Sequence, residues 1–275
     1  EFGQRPELVF LTSEDCTIRA LLRKIGNGSS GDGTNAAAEM VGDGCVVRLS
    51  PPGHRGVPLL IFTMAGSSVA TYQAVAQHVK YVQVYAVELP GRGHRAHEPF
   101  ESSFHALLNR LVPDVMAWSE RQRRFFAWGD SLGAIIAYEF ARLWQEATSV
   151  SLLGLFVSGN PGPTMASAER GLGESAFAYL RLSVDSCSEM SREEWKQFLL
   201  ASSGTGSSEE MAKILQDPIL AEAAIGPLRA DCLAYESYHL DKVSRIHAPI
   251  ITMRGEDDHI TTHEAVRSWK EVAGG

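Results

Sequence analysis

The stretch Phe125–Phe140, FFAWGDSLGAIIAYEF, sets Ser131 between Gly129 and Gly133 at a point where the hydrophobic pattern changes period. Before the serine, RFFAWG (124–129) is a short apolar and aromatic run of strand type. After it, Leu132 to Gln145 repeats its apolar residues at helical spacing. Gly-Asp-Ser-Leu-Gly therefore matches G-x-S-x-G in the strand-turn-helix context which that pattern requires. At such a turn the serine takes a strained backbone conformation, and its neighbours must be small so that adjacent chain can pass. Gly129 and Gly133 meet that need. The serine then sits at a helix N-terminus, where the dipole and free N–H groups favour a developing oxyanion. A Gly/Ser helix start without chemistry has the same five letters, and the placement argues for a nucleophile instead.

Working outward, short β-branched runs alternate with helical ones from Cys45 onward. The strands are CVVRL, PLLIFTM, VQVYAVEL, RFFAWG, LLGLFVSG and, late in the chain, APIITMRG. Helices fall at Thr71 to Val79, near Phe104 to Arg121, at Leu132 to Gln145 and over THEAVRSWKEV at the end. This alternation predicts an α/β fold, a mostly parallel sheet covered by helices on both faces. Gly162 to Pro227 breaks the rhythm. It carries helical segments (174–182, 192–200, 208–215) and a Ser/Gly-rich gap, ASSGTGSS, and reads as a helical lid inserted over the end of the sheet. Residues 1–44 read separately, as a peripheral helix (12–25) followed by a flexible Gly/Ser/Asn-rich linker from Gly26 to Gly44, with the main domain over 45–275.

Bulk properties exclude several function classes. The 275 residues are 44% hydrophobic and 21% charged, enough for one sizeable core. A balance of 25 basic against 33 acidic residues, net −8, offers no basic stripe, so no nucleic-acid partner and no anionic membrane surface is expected. Cys16, Cys45, Cys187 and Cys232 lack CxxC or CxH spacing, which indicates neither a metal site nor a disulfide framework and fits reduced thiols in the cytoplasm. No apolar run reaches the roughly 18 residues of a membrane span. The chain does not open on Met, and both ends are treated as open.

A nucleophile for acyl transfer needs oxyanion donors, one from the residue after the serine and one from the loop after an early strand. Leu132 is the first. IFTMAGSSVATY, where an apolar strand runs into Ala-Gly-Ser-Ser ahead of a helix, supplies the second at Ala65, with Met64 as the fallback. An acid is expected after a later strand, and IITMRGEDDHIT offers Asp258, with Asp257 as the alternative. Gly-Asp-Ser-Leu also opens the GDSL esterases, but their D-x-x-H is absent, since Ile260 and Thr261 stand where the histidine would fall after the late acids.

These segments together resemble the type II, or editing, thioesterases of polyketide and nonribosomal peptide synthases, relatives of the medium-chain fatty-acid-synthase thioesterase within the α/β-hydrolase superfamily. FTMAGSSVATY is similar to their F-P-x-A-G-G-s-x-x-x-Y, and VELPGRGHRAHEP (Val87 to Pro99) to their L-P-G-R-x-x-R-x-x-E-P. DSLGAIIAYEFAR resembles their nucleophile helix, and LFVSGNPGP, LRADCLAYESY and GEDDHIT the segments into and out of the lid. The resemblance implies hydrolysis of an acyl thioester carried on the phosphopantetheine arm of an acyl or peptidyl carrier protein, through an acyl-serine, with no cofactor or metal of the enzyme's own. It implies a monomer or a domain of a larger synthase. Met64, Met165, Phe177, Trp195 and Phe198 are then expected to line the acyl chamber, with Leu180 and Leu182 beside them.

The chain departs from the family pattern at Asp130, where histidine is usual, at Thr63 for Pro and at Ser67 for Gly. Asp130 brings a negative charge beside the oxyanion site. A catalytic histidine is not evident either. His259 and His263 lie too near the acid in sequence to bridge it to Ser131, and His94 and His97 flank Arg92 and Arg95 in a loop whose expected role is orienting neighbours or meeting an acidic carrier. After Asp258 the chain has room for the acid loop and one helix, and a strand of about 5–6 residues has to follow before a base is presented, so the histidine is expected beyond Gly275. The competing expectation is a catalytically inactive hydrolase-fold binding or scaffold domain.

Overall fold

The computed structural model describes residues 9–10, 39–40, 44–150, 152–169, 184–202, 204–255, 258 and 260–274. In chain order the strands are β1 (Val9–Phe10), β2 (Glu39–Met40), β3 (Val46–Arg48), β4 (Val57–Phe62), β5 (Val82–Val87), β6 (Phe126–Asp130), β7 (Gly154–Ser158) and β8 (Ile250–Met253). The helices are α1 (Gln73–His78), α2 (Phe104–Gln122), α3 (Leu132–Ala147), α4 (Pro163–Glu169), α5 (Arg192–Ser202), α6 (Gly204–Gln216), α7 (Pro218–Glu236) and α8 (His263–Arg267).

The strands form one sheet in the order β1-β8-β7-β6-β4-β5-β3-β2, in which β3 alone runs against the rest. Alternate side chains of β4 and β5 serve two cores. Leu60, Phe62, Tyr85 and Val87 face α2 and α3, while Leu59, Ile61, Val82, Val84 and Ala86 pack on the other face with Val69, Tyr72 and Trp128. This is the pattern of a sheet buried on both sides. Under α2 and α3 the rings of Phe125, Trp118 and Trp144 meet edge to face, with centroids 5.3 and 5.7 Å apart.

Connectivity places the functional loops. From β4 the chain passes to β5 on one side and then crosses back to β6 on the other, so the C-terminal ends of β4 and β6 flank a switch in strand order, where ligands bind in sheets of this kind. The crossing is tight. A Cβ on Gly133 would lie 2.0 Å from the carbonyl oxygen of Phe62, and one on Gly129 would lie 2.4 Å from the Cα of Ala134. Gly133 is thus fixed by backbone contact between α3 and β4, and Gly129 by backbone contact between β6 and the start of α3.

The lid differs from expectation in detail. Most of ASSGTGSS is helical among the described residues: α5 runs to Ser202 and α6 starts at Gly204. The insertion does not end at Pro227, which lies inside α7. That helix starts at Pro218 behind an Asp217 cap, whose side chain accepts from the N–H groups of Ile219 and Leu220 at 2.8 and 3.0 Å. The packing of Ile225, Leu228 and Cys232 against Cys187, Met190, Trp195 and Phe198 gives the lid its own core and carries α7 through the proline. The last helix is also shorter than expected, α8 passing into a 3₁₀ turn at Ser268–Glu271. Two dipeptides of the N-terminal segment, β1 and β2, pair with β8 and β3 at the two edges of the sheet. The helices expected over 12–25 and 174–182 lie outside the described residues.

Because the atom facing Gly133 is backbone, Gly133→Ala is expected to destabilise the protein by roughly 3 kcal/mol, the upper end of overpacking costs. Denaturant unfolding measures this, and an unchanged midpoint contradicts the close crossing of α3 over β4.

Candidate active site

Ser131 is the residue between β6 and α3, with φ 52° and ψ −121°. A non-glycine residue held in this region costs about 1–3 kcal/mol and persists where its surroundings enforce it. Here the Ser131 N–H donates to the carbonyl of Ser158 (2.8 Å) and its own carbonyl accepts from the Ala134 N–H (2.8 Å). The side chain is thereby raised above the sheet into a cavity of about 430 Å³ that Asp258, Met64, Ala65, Met165 and Phe198 also line.

The oxyanion donors follow from where the backbone N–H groups go. In the turn after β4, the Met64 N–H donates to the Tyr72 hydroxyl (3.0 Å), the Gly66 N–H to Asp231 (2.7 Å), and the Ser67 N–H to the Met64 carbonyl (3.3 Å). Further on, the Val69 N–H donates to Glu88 (3.1 Å). Among the described residues the Ala65 N–H has no acceptor, and Ala65 lines the cavity beside Ser131. Met64, the fallback donor, is excluded because its N–H is already taken. Leu132, first residue of α3, has no acceptor for its N–H within the helix, as the first turn never does. Ala65 and Leu132, the two expected donors, thus keep free N–H groups.

Asp258 lies in the loop after β8. One carboxylate oxygen accepts from the N–H groups of Ile260 and Thr261, both at 2.9 Å, and Arg254 grips the Asp258 carbonyl. The second oxygen has no hydrogen bond among the described residues, which suits an acid that orients a base. No histidine lines this cavity among the described residues. His263 is exposed at the start of α8. Asp257 and His259 lie outside the described residues, as does Phe177.

The direction of Asp130 is clear. Its carboxylate accepts from the Tyr72 hydroxyl (2.9 Å) and the Ser158 hydroxyl (2.8 Å), and Ser158 in turn accepts from the Trp128 indole N–H (2.9 Å). The charge is spent on holding Tyr72, which holds Met64 and with it the oxyanion turn. Burial pushes the Asp130 carboxyl above the usual range, and the hydrogen bonds from Ser158 and Tyr72 pull it part of the way back.

Trp195 is corrected. It is 1% exposed in the core of the lid and does not reach the cavity. Both Trp195 and Phe198 lie on the inner face of α5, one turn apart, and only Phe198 meets the cavity. Met211, Leu228, Cys232 and Tyr235 line it as well. Sequence reasoning passed over these four, and over Tyr72, although Tyr72 stands in the FTMAGSSVATY segment. Arg92 and Arg95 are buried and engaged, with Asp231 and Glu98 respectively, so they orient loops and are not free to meet a carrier. Among the described residues there is no cluster of acids, thiols and imidazoles able to hold a metal ion, and no helix long and apolar enough to cross a membrane.

The raised Asp130 carboxyl has a sign that can be tested. An acid whose folded value exceeds its unfolded value of about 3.9 contributes stability below that pH and loses it as pH rises through the folded value. The melting temperature of Asp130→Asn relative to the unaltered protein should therefore climb between about pH 4 and neutrality. A difference that stays flat across that window contradicts the buried carboxylate.

Comparison with known proteins agrees with this geometry. The family model for the thioesterase domain matches residues 57–274. The "Probable cadicidin biosynthesis thioesterase" of Streptomyces griseus is 29% identical over 83% of this chain, and the chain spans 57% of that protein's length. Thioesterase PikA5 of Streptomyces venezuelae is 27% identical over 83% of this chain and 74% of its own. Among solved structures, the type II thioesterase BorB from the borrelidin biosynthetic cluster superposes with a TM-score of 0.67 at 26% identity, covering 86% of this chain and 88% of the other. With the family model matched over most of its length, the chain belongs to the thioesterase-domain family.

Proposed function

We propose that the protein hydrolyses acyl thioesters presented on the phosphopantetheine arm of an acyl or peptidyl carrier protein, clearing misprimed or stalled chains through an acyl-serine intermediate. The observation that carries this is the shared cavity: Ser131, Ala65 and Asp258 all line it, with Leu132 following Ser131 at the start of α3. As Ser131 attacks the thioester carbonyl, a base oriented by Asp258 takes its proton and passes it to the sulfur, so that the C–S bond breaks and the carrier thiol leaves. Water then attacks the acyl-serine and frees the acid. The two N–H groups stabilise the oxyanion in both steps, each donor being worth about 10²–10³ in rate. The enzyme needs no cofactor, since phosphopantetheine arrives with the substrate. Two of the relatives are thioesterases named for the biosynthesis of cadicidin and of borrelidin, and that supports a substrate delivered by a biosynthetic assembly here.

A second reading, a binding domain of hydrolase fold without turnover, is favoured by one observation: no histidine lines the cavity among the described residues. Free imidazole separates the two. With an acyl-N-acetylcysteamine thioester as substrate, added imidazole is expected to raise hydrolysis at a site where Asp258 can orient it, and Ser131→Ala to lower that rate by about 10³-fold or more. Thioester binding without hydrolysis, with and without imidazole, supports the binding domain and removes the enzyme.

The cavity wall sets chain length. Met165→Trp narrows the cavity, and it should favour acetyl over octanoyl thioesters by roughly 10-fold or more in kcat/KM relative to the parent. Equal preference in both proteins contradicts the assignment of this cavity to the acyl chain.

A further inference from the structure

Arg92 and Asp231 form a buried, two-pronged ion pair between the loop after β5 and the lid helix α7, 139 positions apart in sequence. The guanidinium donates through Nη1 and Nη2 to the two carboxylate oxygens at 2.6 and 2.7 Å, and both side chains are almost wholly buried. Paired with well-packed apolar residues instead, such a site is often as stable or more so, so fold stability alone is weak reason for an ion pair here. What the pair touches is more telling. The Asp231 oxygen that binds Nη1 also accepts the Gly66 N–H at 2.7 Å, and Nη1 donates to the Ser67 carbonyl at 3.2 Å. Both ends of the pair therefore grip the turn that carries the Ala65 N–H.

We propose that Arg92 and Asp231 are a positioning pair for acyl transfer, fixing the Gly66 peptide so that the neighbouring Ala65 N–H is aimed at the oxyanion formed at Ser131. This rests on the thioesterase reading. Gly66 has φ +75°, and a Cβ there would lie 3.0 Å from Leu228, so α7 presses on the turn as well as bonding to it. Leu228, Asp231, Cys232 and Tyr235 recur at helical spacing on one face of α7. Leu228, Cys232 and Tyr235 of that face line the cavity. The wall that meets the acyl chain and the bond that sets the oxyanion donor belong to the same helix. Asp231 and Arg92 act through the peptide of Gly66, while Ala65 touches the reacting atom.

Two measurements on the full chain test this. In the unaltered protein, amide hydrogen exchange resolved to single residues should show Gly66 protected by about 10²-fold or more and Ala65 exchanging much faster. A Gly66 amide that exchanges like a free peptide overturns the proposal before any variant is made. In imidazole-supplemented hydrolysis of an acyl-N-acetylcysteamine thioester, Asp231→Ala should lower kcat by about 10²-fold with KM changed by less than about threefold. Arg92→Lys, which keeps the charge and loses the fork, should fall between. A folded Arg92→Lys or Asp231→Ala protein whose kcat stays within about twofold overturns it, as does a kcat loss matched by KM. If the unaltered protein turns nothing over, the thioesterase reading fails by itself. Exchange at Gly66 in Arg92→Lys then decides the tether: faster exchange supports it and unchanged exchange overturns it.

Discussion

The contact of Gly133 with the carbonyl of Phe62 brings the start of α3 against the end of β4. A side chain at Gly133 would force the turn that carries Ser131 away from the turn after β4 that carries the Ala65 N–H. The bond from the Ser131 N–H to the Ser158 carbonyl then holds the strained serine against β7. The site is thus a property of backbone packing at the switch in strand order, and the side chains that do chemistry are few.

Buried charge does the second part of the work. Asp130 reaches the turn through Tyr72, Asp231 reaches it directly, and Glu88 takes the Val69 N–H just beyond. Three carboxylates around one turn would be costly if unpaired. Arg92 offsets Asp231, hydrogen bonds from two hydroxyls offset Asp130, and burial raises the carboxyl of Glu88 while Arg92 and Arg95 lower it. What these groups achieve in common is subtraction: they consume the donors on either side and leave the Ala65 N–H free. An aspartate before Ser131, a threatening charge on sequence grounds, supports the turn after β4 instead, because its carboxylate is engaged by the Tyr72 and Ser158 hydroxyls.

Features written in contiguous sequence were legible. The change of period at Ser131, the glycines beside it, the Ala-Gly turn after β4 and the acid loop after β8 each declare themselves within a dozen residues, and the alternation of strands and helices places them at one end of a parallel sheet. Features that depend on partners far along the chain were not legible. Nothing in the LPGR segment names Asp231, and helical spacing marks Trp195 and Phe198 as inward without saying which meets core and which meets cavity. The proline at 227 argued for a break that the packed core of the lid overrides, since the helix-propensity cost of proline is about 3 kcal/mol against the burial of Trp195, Phe198 and Ile225.

The central claim is that Ser131 carries the acyl group. Intact-protein mass measurement after brief exposure to an octanoyl thioester and imidazole, followed by peptide mapping, tests it most directly. A single octanoyl addition is expected on the peptide that contains Ser131, absent in Ser131→Ala. Hydrolysis that proceeds with no adduct on that peptide, or with the acyl group on another residue, contradicts it.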